Sequence, residues 1–469
     1  MPPERLSYLS QNDAIMWQVE SDPLLRSTIV AVSILDRAPE WERVVAATRR
    51  TIDHVPALRH RVVPAPLHHG TLQWVPADVV DLDHHLRHVV LPGPGTVDQL
   101  LEHARASGAA RFDPDRPLWH FTLVEGLENG RAAFVTVAHH VVTDGIGAVQ
   151  LAAHLFDLTA DPAPGPTAAD PTAAVRETDA SAEGHAPDVV HRWLDAVARD
   201  VGVAASVARH GIPALIPDLL HALRHPIEAS TEIVETTRSI ARAVAPAVDT
   251  KSPLIADRRP VGRYQSIEVP LDDLRAAAAT VGATVNDAYL AAITGGLRRY
   301  HEHHGAPVET LRMAMPISLR SDGDRTGGNR VSLLRFEVPV DETDPAARLA
   351  ALHELGARIR AERSLAHTEA IAAVLNLLPR QLLGTILKHV DVIASNVPGV
   401  PVPLYLGGAE VERVIPFGPT AGSSVNLTLM SYCGTCSVGV HADTAAIGDA
   451  EVFLESLRAG FDEVVALAR

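Results

Sequence analysis

The chain reads as a mixed α/β protein built from two halves of similar size with a helical connector between them. Three observations carry that expectation. Strand-like runs rich in β-branched residues alternate with helix-like runs over residues 1–160 and again over 263–469. Between them the composition breaks. Ala160-Asp161-Pro162-Ala163-Pro164-Gly165-Pro166 opens a segment, reaching to 187, that holds few large apolar side chains and reads as a linker. Finally, 46% of the 469 residues are hydrophobic and 21% are charged, ordinary values for a chain that buries a substantial core. The expected units are 1–160, a linker and connector over 161–255, and 256–469.

Each element follows from its local pattern. Residues 26–35 and 131–138 are strand runs. Residues 41–51 and 146–158 have helical spacing. The connector over 188–250 looks helical, interrupted at Pro213, Pro217 and Pro226. In the second half, 272–280 and 286–304 are helical patterns, and 333–338 alternates like a strand that Pro339 ends. Residues 424–432 and 435–442 flank a Cys433-Gly434 turn and read as a hairpin. Residues 450–468 close the chain as an amphipathic helix. The stretch 371–390 is notably apolar around Pro379, which fits a core helix, an acyl tunnel or a lipid-facing surface.

Composition removes several functions. Net charge is −16, from 41 basic and 57 acidic residues, which argues against a nucleic-acid partner. The only lysines are Lys251 and Lys388, and no Gly-Lys-Ser/Thr run exists, so there is no Walker A loop. There is no Gly-x-Ser-x-Gly nucleophile elbow. Cys433 and Cys436 are the two cysteines, too few for a disulfide scaffold. They form a C-x-x-C between strands rather than at a helix N-terminus, so they read as structural. The first five residues lack the apolar core of a signal peptide, and no run of 18 or more uncharged apolar residues occurs. A cytoplasmic location is expected, with peripheral membrane contact left open.

The sharpest feature is His139-His140-Val141-Val142-Thr143-Asp144-Gly145. His-His pairs alone mean little among 24 histidines, and this chain has four of them. The Asp-Gly at fixed spacing is rarer. The pair ends a strand, so the two side chains point to opposite faces and only one is expected to meet a cleft. Imidazole titrates near neutrality and suits a general base. Gly145 permits backbone conformations that a Cβ forbids, and Asp144 can fix the turn. Two other readings stand beside this one. One is a hydrogen-bonded histidine pair at a strand end. The other is a zinc site drawing on His301, His303 and His304, against which exposed histidines at a helix end are simpler.

Further motifs narrow the choice. Residues 6–13, Leu91-Pro92-Gly93-Pro94-Gly95, Arg116-Pro117-Leu118-Trp119, Thr284-Val285-Asn286-Asp287, Met315-Pro316-Ile317-Ser318-Leu319-Arg320, Gly328-Asn329 and Ser395-Asn396-Val397-Pro398-Gly399 occur in this order. With the histidine motif and the closing hairpin, the chain resembles the bacterial wax ester synthase/diacylglycerol acyltransferase family of the coenzyme-A-dependent acyltransferase superfamily. Val400 stands where that family usually has a proline.

The resemblance implies two chloramphenicol-acetyltransferase-like domains joined by a helical linker, with a substrate tunnel between them. It implies His140 as general base, His139 as its structural neighbour, and Asp144 and Gly145 as the residues that order the loop. Asn286, Asp287, Trp119 and Arg330 become substrate-binding candidates. Arg320, Arg325 and Arg330 could meet the phosphates of acyl-CoA, although a solvated loop is the simpler reading. Acyl-CoA is then a co-substrate, the acceptor a lipid or long-chain alcohol, and no cofactor or metal is expected. Contact with a membrane or lipid body is compatible with such an acceptor.

Overall fold

The computed structural model describes residues 8–64, 72–143, 145–162, 250–318, 331–360, 372, 375–376 and 380–469. The connector expected over 188–250 and most of the linker lie outside the described residues. In the first half the elements are α1 (Gln11–Val19), β1 (Thr28–Leu35), α2 (Trp41–His54), β2 (His60–Val63), β3 (Gln73–Pro76), the one-turn α3 (Leu82–His85), β4 (Leu86–Val90), α4 (Val97–Ala109), β5 (Trp119–Glu125), β6 (Ala132–His139) and α5 (Gly145–Leu155). The second half adds β7 (Gly262–Pro270), α6 (Leu271–Ala279), α7 (Val285–His303), β8 (Thr310–Ser318), β9 (Val331–Pro339), α8 (Pro345–Arg360) and α9 (Arg380–Leu387). It ends with β10 (Val390–Val397), β11 (Tyr405–Leu406), β12 (Ala409–Phe417), β13 (Ser423–Tyr432), β14 (Thr435–Asp443) and α10 (Ala450–Ala466).

Among the described residues the strands form two six-stranded mixed sheets and a small β2–β3 pair. The first sheet runs β11-β12-β1-β6-β5-β4, and the second runs β7-β14-β13-β10-β8-β9. Period-2 alternation gives each strand of the first sheet two faces. Val30, Val32 and Ile34 of β1 join Val135 and Val137 of β6 in a core under α4. Ile29, Ala31 and Ser33 take the other face, toward the interior between the sheets.

The halves interlock. β11 and β12 follow β10 of the second sheet in the chain, yet they complete the first sheet, with β12 antiparallel to β1 in the register Val30↔Phe417 and Ser33↔Val414. Where β12 crosses β14, the backbones almost touch. A Cβ on Gly439 would lie 1.7 Å from the Pro416 carbonyl oxygen, so only glycine allows this approach. Tyr264 of β7 stacks on Phe417 with ring centroids 4.0 Å apart, worth about 0.5–1.5 kcal/mol beyond the area buried. Arg413 of β12 pairs with Glu268 of β7 across the same seam.

The second sheet carries its own core, with α7 and α10 packed against it. These helices meet at Gly296 and Gly460, where a Cβ on Gly460 would sit 2.2 Å from the Ala292 carbonyl oxygen. Among the described residues no helix is long and apolar enough to cross a membrane.

Candidate functional site

β6 ends at His139 and His140 follows it directly, so the extended backbone separates the two rings. The His139 N–H donates to the Leu118 carbonyl (2.9 Å) and the His140 N–H to the Ser27 carbonyl (2.7 Å), which fixes the strand end between β5 and the start of β1. The His139 ring is only 1% exposed. Its Nδ1 accepts the Val141 N–H at 3.2 Å, so the ring proton sits on Nε2 and is donated to Glu20 Oε2 at 3.1 Å. The same Glu20 oxygen accepts the Ser27 N–H at 3.0 Å. One carboxylate therefore ties the His139 ring to the residue that holds the His140 backbone. His139 has both nitrogens engaged and is a structural anchor.

His140 faces the other way and lines a cavity of about 600 Å³ between the two sheets. Its lining is drawn from both halves and is largely apolar. One side is the inner face of β1, β6 and β12 with α5. The other includes Ile15, Met16 and Val19 of α1 with Leu25, Leu387, Val390 and Ile393. Polar groups are few: Asn12, Ser27, Thr143, Asn396, Asn426, Thr428 and Arg335 are among them. Part of the apolar stretch over 371–390 joins the wall, through Ala372, Leu375, Leu387 and Val390. Burial and the nearby Arg312 guanidinium lower the Arg335 pKa, and the group sits in the cavity wall as a partly desolvated cation.

The remaining sequence candidates separate. Gly145 opens α5 immediately after the motif. Asp144 and Arg330, with Arg320 and Arg325, lie outside the described residues. Trp119, grouped by its motif with the substrate-binding candidates, is a core residue instead. It is 1% exposed, donates its indole N–H to the Leu58 carbonyl at 2.9 Å, and stacks on His85.

Asp287 is likewise fully buried and away from the cavity lining. It completes a capping box with Thr284 at the start of α7, and its Oδ2 also meets His353 Nδ1 at 2.8 Å. Asn286 comes nearer. Its Oδ1 accepts from Asn396 Nδ2 at 3.4 Å, and Asn396 lines the cavity.

Among the described residues no group of three or more His, Cys, Asp or Glu side chains is placed to hold a metal. His301, a metal candidate in the sequence, uses both ring nitrogens, on the Leu297 carbonyl and the Ser252 hydroxyl. Cys433 and Cys436 are both free thiols.

Sequence reasoning missed Glu20, 119 residues from its histidine partner, because nothing local marks it. It also missed Arg335, which in Leu333-Leu334-Arg335-Phe336 looks like the solvent side of an alternating strand.

Comparison with known proteins follows the same lines. The catalytic-domain profile of the wax ester synthase/diacylglycerol acyltransferase family matches residues 9–289, and the profile of that family's C-terminal domain matches residues 327–464. A Mycobacterium tuberculosis protein provisionally named a diacylglycerol O-acyltransferase is 36% identical over 463 residues, covering 97% of this chain and 91% of its own. The solved wax ester synthase/diacylglycerol acyltransferase from Marinobacter aquaeolei has a TM-score of 0.63 at 22% identity, covering 98% of this chain and 99% of that one. A mutant starter condensation domain of rhizomide synthetase, solved with C8-CoA, has a TM-score of 0.56 at 16% identity, covering 99% of this chain and 94% of that one. The two solved structures share this fold of paired α/β units, the chloramphenicol-acetyltransferase-like architecture.

Proposed function

The chain belongs to the wax ester synthase/diacylglycerol acyltransferase family of acyl-CoA acyltransferases, and from that membership we propose that it esterifies diacylglycerol or a long-chain alcohol with His140 as general base. The observation that carries this reading is the placement of His140 on the wall of an apolar cavity shared by the two sheets. The provisional diacylglycerol acyltransferase name of the mycobacterial relative supports the acceptor. The C8-CoA of the condensation-domain complex supports the donor.

The proton path is short. His140 takes the hydroxyl proton, the oxygen attacks the thioester carbon, and a tetrahedral oxyanion forms. Collapse breaks the C–S bond, and the proton held on His140 returns to the departing thiolate. A placed base supplies about 10²–10⁴ in rate, and orientation together with oxyanion stabilisation supplies the rest. Acyl-CoA is the co-substrate, and this sequence of steps calls on no further cofactor. The acceptor partitions into bilayers and lipid bodies, so the reading includes peripheral contact with such a surface from the cytoplasmic side.

The test uses purified protein, palmitoyl-CoA and dioleoylglycerol, with free thiol and triacylglycerol measured together. His140→Ala should lower kcat by about 10²–10⁴ and leave Tm unchanged. Undiminished turnover in that variant would remove His140 from the mechanism. Turnover with hexadecanol but not with dioleoylglycerol would move the acceptor to alcohols.

A further inference from the structure

The inner face of the first sheet floors a trough in the cavity wall. β1 and β6 are central strands, yet Ile29 and Ala31 in β1 and Thr136 in β6 are partly accessible where every other residue of those strands is buried. All three line the cavity. Cross-strand register sets the inner face in rows. Pro416, Ala31, Thr136 and Phe121 stand side by side in one row, and Val414 with Ser33 stand in the next. Proline and phenylalanine form the walls while alanine and threonine form the floor, so the trough is about one alkyl chain wide. The Thr136 hydroxyl bonds the Ala31 carbonyl at 3.4 Å, which leaves the floor little free polarity.

The trough starts at the Ser27–His140 backbone bond. At the other end stand Leu155 and Phe156 of the α5 terminus, held to β11 through the Asp157–Tyr405 bridge. β11 pairs with β12 at Glu410 and Ala409, just beyond the Leu35↔Val411 pair, so this closure lies past the Ser33 row.

Building on the acyltransferase reading, we infer that this trough is a ruler for the acyl chain of the thioester, with a preferred length of about sixteen carbons. Six strand steps separate Ser27 from Ser33, about 20 Å at ~3.3 Å per residue. An extended backbone advances ~3.6 Å per three bonds, so an all-anti alkyl chain advances about 1.2 Å per bond and spans that distance in about sixteen bonds. Against a diacylglycerol acceptor the occupant is the donor chain, because a floor of two strands about 5 Å apart holds one chain whereas diacylglycerol brings two; for an alcohol acceptor the donor and acceptor profiles below decide between them. The wall formed by Ile15, Met16 and Val19 of α1 with Leu25 and Leu387 is left for the acceptor.

The experiment profiles kcat/KM for saturated acyl-CoAs from C8 to C18 against dioleoylglycerol, and for C8 to C18 alcohols against palmitoyl-CoA, for wild type, Ser33→Leu, Val414→Phe and Ala31→Leu. Thermal stabilisation by each thioester without acceptor is measured in parallel. Wild type should peak near C16. Ser33→Leu and Val414→Phe sit in one row on different strands and should share one shorter cut-off. Ala31→Leu lies one row nearer His140, about 7 Å, and should cut off about five carbons earlier still, with at least a ten-fold loss for C16 relative to C10.

Folded variants that keep the wild-type profile overturn the ruler. So does a shift in acceptor chain length with the donor profile unchanged. If no thioester is turned over but stabilisation follows the rows, the ruler stands and the acyltransfer reading falls.

Discussion

Removing the Glu20 carboxylate should disable the site without touching the cavity. In Glu20→Ala, the His139 Nε2–H and the Ser27 N–H both lose their acceptor. His139 is 1% exposed and Ser27 is 5% exposed, so water does not readily replace it. An orphaned buried donor costs about 1–3 kcal/mol, and two of them together cost about 3 kcal/mol after partial relaxation. For a unit of this size that is a Tm loss of roughly 6–12 °C.

Activity should fall for a separate reason. The Ser27 carbonyl holds the His140 N–H at 2.7 Å, so loosening Ser27 moves the imidazole relative to the thioester. Misplacement of a reacting group by about 1 Å costs on the order of 10²-fold. Glu20→Gln keeps an acceptor oxygen and should retain most of both properties. The assay is thiol release at 15 °C, well below either Tm, with kcat and KM separated. A positioning role predicts lower kcat at near-constant KM for palmitoyl-CoA, with rescue by glutamine. Equal kcat in Glu20→Ala and wild type would refute the argument, as would a glutamine variant no better than alanine.

Other consequences can be checked alongside. Trp119→Phe should cost about 1 kcal/mol, from the lost bond to the Leu58 carbonyl, and leave KM for both substrates unchanged; a raised KM would return Trp119 to the substrate site. Burial pushes His120 down to about 4, so the folded state binds fewer protons than the unfolded chain between that value and about 6.5. Stability contributed by His120 is therefore present at neutral pH and lost as pH falls, by about 2 kcal/mol from pH 7 to 5, and denaturant titrations of His120→Phe should show a flatter acid limb. Gly439→Ala must push β12 from β14, because the new Cβ meets the Pro416 carbonyl, and should lower Tm and turnover together; a wild-type melting curve would contradict the seam described above.

What the sequence discloses follows from the range of each signal. Alternation is local, so β1, β6, the β13–β14 hairpin and the opposed faces of His139 and His140 can be written down from spacing alone. It cannot say which face of a doubly apolar strand packs and which lines a cavity. In β1, Val32 and Ala31 differ by two methyl groups, yet Val32 is in the core under α4 and Ala31 is on the cavity floor. Nor does alternation name a partner. Ala409–Phe417 alternates as a strand should, but its neighbour is β1, nearly the whole chain away, and only register exposes the crossover.

Motifs fail in a different manner. Thr284-Val285-Asn286-Asp287 carries the threonine-to-acid spacing of a capping box, and the carboxylate is spent on the helix end and His353 rather than on the cavity. The Asn beside it points toward Asn396 and the wall. A four-residue signature thus holds one residue of the frame and one that reaches the lining. Only the burial of Asp287 against the partial exposure of Asn286 separates them.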